Sequence, residues 1–286
     1  MPLNETPIAF DCAGAPSTAI LHSVSTEAKV GIVIIVGGPQ YRVGSHRQFV
    51  LLARALAENG IPVLRFDHRG TGDCANDAVA FDELNQDIHC AVNLFVDRTK
   101  VSSVALWGLC DAASAAMMYA PSDARIGALI LLNPWVHTDE IEARTRLKSY
   151  YLERLRSRQF WHKLFRLDLD LRDSIGSLAG YIRKALANRS PQVNRGPEDL
   201  HFIERMRLGL TEFNGRVFLI LSGKDLTAEE FRSLINSNSQ WRKTIEITNL
   251  TRIDLHDANH TFASREWRSQ VQDLTVKWAT ELANTK

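Results

Sequence analysis

The sequence lacks long apolar segments, a secretory leader and any large excess of charge. No window approaches the ~18 uninterrupted apolar residues that a transmembrane helix requires, and the stretch from Met1 to Cys12 has no basic residues followed by an apolar core. A formal net charge of +1 gives no general attraction to nucleic acid. We therefore expect a cytoplasmic protein that has no transmembrane segment and binds no nucleic acid.

The cysteines and histidines are too scattered along the sequence to form a C-x-x-C motif or a metal site. None of the four cysteines belongs to a C-x-x-C pair, and the nine histidines do not cluster with cysteines or carboxylates at metal-ligand spacing. In a reducing compartment we expect free thiols. We predict neither a metal nor a cofactor, and we expect packing roles for Cys12, Cys74 and Cys90.

Hydrophobic residues make up 45% of the 286 residues, enough for a sizeable core, and many occur in short runs that end at glycine or a charged turn. Runs this apolar are typical of strands that are covered on both faces of a parallel sheet. The runs are Val30–Val36, Pro62–Phe66, Val101–Leu106, Ile126–Leu132, Val217–Leu221 and Thr244–Ile247.

Helical patterns alternate with several of these runs. The alternation of strand and helix predicts an α/β fold, a doubly wound and mostly parallel sheet. From the residues between Ile8 and Val24 we expect an antiparallel pair at the sheet edge. The helical patterns cover Gln48–Asn59, Phe81–Val96, Ala112–Tyr119 and Glu266–Ala283.

One segment, residues 137–212, interrupts the alternation. It has no clear buried strand, and within residues 144–189 there are 12 Lys and Arg residues against 4 Asp and Glu. We predict a helical cap (lid) inserted into a core of residues 1–136 and 213–286. One interpretation is that the aromatic side chains pack inward while the arginines stay in solvent. The alternative is that the positive charge serves peripheral contact with a membrane. The oligomeric state stays unknown.

The motif Gly108-Leu109-Cys110-Asp111-Ala112 follows a predicted strand and opens a predicted helix. Such a junction, commonly written G-x-S-x-G, exposes a nucleophile on a strained turn. The residues two before and two after the nucleophile must be small because their backbones come close together, and Gly108 and Ala112 meet that need. The motif alone also fits a buried structural cysteine, but partners farther along the chain make Cys110 the candidate nucleophile.

Those partners come in the order nucleophile, acid, histidine that this fold requires. Asp225 follows the Val217–Leu221 run, and His260 precedes the last helical pattern. We predict His260 as the general base and Asp225 as the carboxylate that orients it. Asp225 could instead only cap a helix, so Asp139 and Asp257 remain alternative acids.

The loop after the Val30–Val36 run is expected to complete an oxyanion hole. The backbone N–H of Asp111 supplies one donor at a helix N-terminus. Pro39 has no N–H, so we predict Gln40 as the second donor, with Tyr41 as the next choice. The candidate substrate-binding residues are Tyr41, Arg42, His46 and Trp135.

These motifs resemble the α/β-hydrolase superfamily over nearly the whole chain, and more narrowly the exosortase A system-associated hydrolases of the first type. The narrower resemblance implies a link to bacterial exopolysaccharide production. Dienelactone hydrolase is similar in having a cysteine nucleophile on this fold. The resemblance rests on Gly37-Gly38-Pro39-Gln40-Tyr41-Arg42, Gly44-Ser45-His46-Arg47, Phe66-Asp67-His68-Arg69-Gly70 and Gly108-Leu109-Cys110-Asp111-Ala112.

The sequence therefore predicts a hydrolase that cleaves a small-molecule ester or thioester through an acyl-cysteine intermediate. An acyltransferase that uses the same intermediate is the nearest alternative, because a thioester also reacts with alcohols and amines. A binding module on the same fold is a third reading, although a binder has no use for the three-residue constellation.

Overall fold

The structure of the protein is a computed structural model, which describes residues 4–12, 14–38, 40–74, 77–137 and 201–284. Most of the predicted cap, residues 138–200, lies outside the described residues. The described residues form a sheet of eight strands with helices packed against it. The strands are β1 (Asn4–Cys12), β2 (Ala15–Ser23), β3 (Val30–Ile35), β4 (Val63–Phe66), β5 (Ser103–Leu109), β6 (Ile126–Leu132), β7 (Arg216–Lys224) and β8 (Leu250–Asn259).

The strand order is β1-β2-β4-β3-β5-β6-β7-β8, and all neighbours from β4 to β8 run parallel. β2 pairs antiparallel with both β1 and β4. This confirms the predicted mostly parallel sheet and the antiparallel pair at its edge. The chain order reverses between β3 and β5, and in open α/β sheets ligands bind beyond the carboxyl ends of the strands at such a point.

The described residues contain seven α-helices, and the predicted helices agree with them to within a few residues. Three short 3₁₀ turns accompany them, at Ser45–Arg47, Phe81–Glu83 and Ala120–Ser122. The α-helices are α1 (Gln48–Glu58), α2 (Asn85–Thr99), α3 (Asp111–Tyr119), α4 (Phe202–Glu212), α5 (Leu226–Ser237), α6 (Ser239–Ile247) and α7 (Arg265–Asn284).

The prediction of a last strand at Thr244–Ile247 is wrong, because these residues end helix α6. Asn238 caps that helix: its Oδ1 accepts hydrogen bonds from the N–H groups of Gln240 (2.9 Å) and Trp241 (3.2 Å). The true last strand, β8, is an edge strand with charged residues on its exposed positions. It therefore has no continuous apolar run by which it could be found.

Helix α4 falls in the segment that was predicted as cap, yet it packs against α3 in the same compact unit as the sheet. Gly209 makes this possible, since an added Cβ there would lie 2.2 Å from the carbonyl oxygen of Met117. The helical periodicity of α4 resembles that of the preceding residues, so the sequence marks no boundary there. Residues 201–286 thus form one compact unit with residues 1–136.

The core lies on both faces of the sheet, and the strand side chains in its centre are fully buried. Aromatic pairs join the sheet to the helices on one face: Phe49 meets Trp107 edge-on at 5.4 Å, and Phe218 stacks on Trp278 at 5.3 Å. Full burial of each large apolar side chain contributes roughly 1.5–3 kcal/mol. No helix in the described part of the chain is long and apolar enough to cross a membrane.

Gly209→Ala tests the contact between α3 and α4. Intrinsic helix propensity alone would favour alanine by about 1 kcal/mol. The clash with the Met117 carbonyl opposes this, and overpacking of this kind costs about 1–3 kcal/mol. We therefore expect net destabilisation, measured as a lower urea midpoint. Glu212→Ala, at an exposed position of the same helix, is the control, and a Gly209→Ala protein as stable as the wild type would contradict the packing.

Candidate active site

The turn between β5 and α3 has the geometry of a nucleophile elbow. Cys110 has φ 64° and ψ −126°, a strained conformation for a residue with a side chain. An added Cβ on Gly108 would lie 2.6 Å from backbone atoms of Ala112. The small residues flanking Cys110 are thus required by the close approach of the two backbone segments.

Hydrogen bonds fix this turn to β6 and the loop that follows it. The Cys110 N–H donates to the carbonyl of Leu132 at 2.9 Å, and the Cys110 carbonyl accepts from the N–H of Trp135 at 3.2 Å. Ser114 adds a bond from its hydroxyl to the Trp135 carbonyl at 2.8 Å. Trp135, predicted to bind substrate, is half-buried, and its backbone holds the elbow.

Asp225 and His260 form a direct pair at the carboxyl ends of β7 and β8. The Nδ1 atom of His260 lies 2.9 Å from Oδ2 of Asp225. The Asp225 side chain is only 5% exposed, against 34% for His260. The same carboxylate also accepts from the N–H groups of Thr227 and Ala228, both at 3.2 Å. Asp225 therefore caps α5 and orients the imidazole at once.

The carboxylate of Asp225 raises the pKa of His260 to about 10, and a hydrogen bond with the Cys110 side chain acts in the same direction. Burial of the ring opposes both effects but is smaller. His260 thus carries its proton at neutral pH. The structure brings Cys110, His260 and Asp225 together as the sequence predicts.

Of the two alternative acids, Asp257 is the one that the structure describes, and it does not take the position of Asp225. Asp257 is 80% exposed and forms an ion pair with Lys224 at 3.0 Å. Asp139 lies outside the described residues. Among the described carboxylates, the one that bonds the His260 ring is that of Asp225.

A buried amide that the sequence reading missed joins the strand ends. Asn133 (φ 44°) directly follows β6, and its Nδ2 donates to Ser222 Oγ at 2.9 Å and to the His260 carbonyl at 3.3 Å. Its Oδ1 accepts from the Ser222 N–H at 2.8 Å. Both side chains are fully buried. The sequence signal for this bridge is an asparagine at a strand end, a residue type that tolerates positive φ.

The loop that is expected to complete the oxyanion hole contacts the side-chain carboxylate of Asp111, a contact that was not predicted from the sequence. Oδ2 of Asp111 accepts from the N–H of Gly38 at 2.8 Å, and its Oδ1 accepts from the N–H of Ala112 at 2.9 Å. Burial raises the pKa of Asp111, while these N–H groups oppose the shift. An added Cβ on Gly37 would lie 2.1 Å from Oδ1, so glycine there leaves room for the carboxylate.

Because the Gly38 N–H donates to this carboxylate, it is not free to act as the second oxyanion donor. Gln40 has its side-chain Oε1 bound by the Ser45 N–H at 3.1 Å. None of the described residues accepts a hydrogen bond from the Gln40 N–H. The N–H groups of Asp111 and Gln40 therefore remain the predicted pair of donors.

The predicted substrate-binding residues separate into different roles. Tyr41 is 47% exposed and lines a cavity beside the elbow. Arg42 does not line it: its guanidinium binds Asp67 and also Asp73, the latter at 2.5 Å, so it braces the loop. Its partners Asp67 and Asp73 lie 25 and 31 positions away in the sequence, so no local pattern indicates this role. His46, with φ 53°, sits in the short turn before α1 and outside the lining of that cavity.

The cavity beside the elbow has a volume of about 460 Å³, within the usual range for small-molecule sites. It lies between the loop after β3 and the segment after β4. Among the described residues, no group of three or more His, Cys, Asp or Glu side chains could hold a metal ion. The lining is formed by Val36, Gly38, Gln40, Tyr41, His68, Gly70, Thr71, Gly72, Ala78, Val79, Phe81, Leu84 and Asp111.

A mostly parallel sheet, a strained elbow after a central strand, and an aspartate–histidine pair on the later strands define the α/β-hydrolase class. A family model described as serine aminopeptidase, S33, matches residues 27–252. The chain belongs to this family. No curated protein matches the sequence significantly.

Solved structures of esterases share the fold. The esterase Pf2001 of Pyrococcus furiosus aligns with TM-score 0.65 and 13% identity, covering 98% of this chain and 91% of its own. Est1E from Butyrivibrio proteoclasticus, with ferulic acid bound, aligns with TM-score 0.62 and 14% identity over 96% and 98%. Dienelactone hydrolase from Anabaena variabilis aligns with TM-score 0.61 and 12% identity over 98% and 99%.

The substitution Asp225→Asn tests the electrostatic effect of Asp225 on His260. Asparagine preserves the cap of α5 but removes the charge that raises the pKa of His260. We expect this histidine to titrate near pH 10 in the wild type and at clearly lower pH in the variant, as measured by NMR. Asp257→Asn is the matched control. An unchanged titration in Asp225→Asn would contradict the pairing.

The raised pKa of His260 also predicts that part of the free energy of unfolding depends on pH. The folded-state pKa of His260 is raised above its ordinary 6.5, so the pair stabilises the fold fully below that pH. This contribution is lost as pH rises through about 10. The stability difference between wild type and Asp225→Asn should therefore shrink over this window in urea titrations. A difference that is constant over the window would show that His260 does not carry the effect.

Proposed function

We propose that the protein hydrolyses an ester or thioester through an acyl-enzyme formed on Cys110. The observation that carries the proposal is the 2.9 Å pair of Asp225 and His260. The Cys110 side chain at the elbow acts with Asp225 to raise the pKa of this imidazole. A binding module would not need a cysteine in a strained turn opposite an oriented imidazole. Membership of a hydrolase family supports the same reaction class.

The reaction could start from a neutral thiol beside a neutral imidazole or from a thiolate beside a protonated imidazole, and the raised pKa of His260 supports the second. An imidazole that is already protonated cannot take the proton of a thiol, so Cys110 attacks as the thiolate of a thiolate–imidazolium pair. Sγ bonds to the carbonyl carbon, and the N–H groups of Asp111 and Gln40 hold the oxyanion. Each such donor is worth about 10²–10³-fold in rate.

Collapse of this intermediate breaks the bond to the leaving alcohol or thiol, and the leaving atom takes the proton of His260. The imidazole is then neutral and acts as a base on water, whose oxygen adds to the thioester carbon. The acid leaves, and Cys110 returns as thiolate while His260 is protonated again. Asp225 keeps the ring oriented throughout and stabilises its positive charge.

We also propose the narrower assignment to the exosortase-associated hydrolases and hence a role in bacterial exopolysaccharide production. Its support is the resemblance of residues 37–47, 66–70 and 108–112. Each of these segments also makes contacts around the candidate site. Gly38 binds Asp111, Arg42 braces the oxyanion loop through Asp67, and the elbow bears Cys110.

Intact mass after acid quench tests the nucleophile. We expect activated esters and acyl-thioesters to leave one acyl group on the wild type and none on Cys110→Ala, with an acylation rate lower by at least about 10³-fold. Cys90→Ala, at another half-buried thiol, is the matched control and should be acylated normally. Equal acylation of wild type and Cys110→Ala would place the adduct elsewhere and refute the assignment.

The pH dependence of acylation tests the role of His260 as acid. An alkoxide leaving group needs the proton, so the rate with alkyl esters should fall as pH rises through about 10. A thiolate is a far weaker base and leaves unaided, so matched thioesters should lose much less rate over the same range. Identical alkaline limbs for both substrates would argue against proton donation by His260.

A further inference from the structure

The side chain of Asp111 joins the elbow to the loop after β3, residues 36–44. Its Oδ2 accepts the Gly38 N–H at 2.8 Å, and its Oδ1 accepts the Ala112 N–H at 2.9 Å. A carboxylate can accept through both oxygens at once, which an amide or a hydroxyl cannot do. This one side chain therefore links the first turn of α3 to a residue 73 positions earlier in the sequence.

Close packing of Gly37 strengthens this link. An added Cβ on Gly37 would lie 2.1 Å from Oδ1 of Asp111 and 2.9 Å from the carbonyl oxygen of Leu109. The loop therefore rests directly on the last residue of β5 and on the residue that follows Cys110. A side chain at position 37 would push the two segments apart, so the absence of one sets their distance.

A second carboxylate holds the other side of the loop. Asp67, which is fully buried after β4, accepts the Arg42 N–H with Oδ1 at 2.7 Å and also binds the Arg42 guanidinium. The Arg42 carbonyl accepts from Nη1 of Arg65, a buried residue of β4, at 2.6 Å. Both polar groups of the Arg42 backbone are thus bound by side chains in or directly after β4.

Gln40 lies between these two anchors, two residues after Gly38 and two before Arg42. Its side-chain Oε1 accepts the Ser45 N–H at 3.1 Å, so the side chain is tied within the loop. Among the described residues none accepts from its backbone N–H. The two carboxylates bind the N–H groups on either side of Gln40 and leave this one available.

We propose that Asp111 is a positioning residue for the oxyanion hole: its carboxylate, with Asp67 as the second anchor, holds the Gln40 N–H at the reacting carbonyl. Such a donor is effective only when it is in place before charge develops, because it then costs no reorganisation during the reaction. The catalytic use of the held loop rests on the proposed function. The anchoring of the loop does not.

The charge of Asp111 acts in the opposite direction. An ionised carboxylate near the reacting carbonyl repels the oxyanion that develops there. Positioning therefore predicts that removal of the Asp111 side chain slows the reaction, whereas repulsion alone predicts that removal speeds it. The sign of the change in rate decides between the two roles.

Acylation of Cys110 by hexanoyl-N-acetylcysteamine, measured in Asp111→Ala protein, tests the catalytic use. We expect the maximal acylation rate to fall by about 10²-fold, the effect of a misplacement of ~1 Å. The half-saturating concentration should change little, because the oxyanion forms only in the transition state. Asp111→Asn keeps one accepting oxygen, so its rate should fall less. Asp273→Ala, at an exposed carboxylate of α7, is the control.

Amide hydrogen exchange, followed by NMR, tests the anchoring without any substrate. The Gly38 N–H should exchange at least about tenfold faster in Asp111→Ala than in the wild type, because it loses its bond to a carboxylate. The Arg42 N–H, which Asp67 holds, is the internal control and should change little. Asp111→Asn supplies the same comparison, with a smaller expected change, where the alanine variant does not fold.

The outcomes separate the anchoring from the proposed function. Equal exchange of the Gly38 N–H in wild type and Asp111→Ala overturns the anchoring. An acylation rate that is unchanged or higher in Asp111→Ala overturns the positioning role, and so does a change confined to the half-saturating concentration. A wild type that forms no acyl-Cys110 refutes the proposed function, while faster Gly38 exchange in the variant still supports the anchoring.

Discussion

The close approach of two backbone segments at the elbow is the constraint on which the candidate site depends. Cys110 can adopt a positive φ and project from the turn only because Gly108 meets Ala112 without a side chain between them. The strain costs about 1–3 kcal/mol. It persists because the surrounding structure holds the peptide at both ends, through Leu132 on β6 and Trp135 in the next loop. The candidate nucleophile is thus positioned by a neighbouring strand as well as by its own.

The loop that holds the elbow also contacts the backbone of His260, the candidate base. Asn133 lies between Leu132 and Trp135, and its amide reaches Ser222 at the end of β7 and the carbonyl of His260. Loss of such a buried amide would leave several groups unpaired, each at about 1–3 kcal/mol. The three strand ends therefore keep their spacing through contacts that do not involve the reacting side chains. The candidate triad is a consequence of the fold more than a cause of it.

Much of this architecture can be predicted from short stretches of the sequence. Cys110 and Asp225 follow buried apolar runs closely, and such runs reveal both the strand and the place where it ends. Strand β8 lies at an edge, so its exposed charges hide it. Contacts between distant residues leave no local pattern: Asn133 meets Ser222 across 89 positions and Gly38 meets Asp111 across 73. The same holds for Arg42, whose charge suggests an anion site until Asp67 is seen beside it.

A cysteine at the elbow changes what the histidine has to do. A serine hydroxyl is not ionised at neutral pH, so a serine enzyme needs an unprotonated imidazole to take its proton. The raised pKa of His260, to which Asp225 contributes most and the Cys110 side chain adds, works against that need. A thiolate nucleophile needs the opposite, a protonated ring that stabilises it and then supplies the leaving group. The proposed cysteine nucleophile and the electrostatics around His260 therefore agree with each other, because the groups that raise the pKa of His260 favour the protonated ring that a thiolate requires.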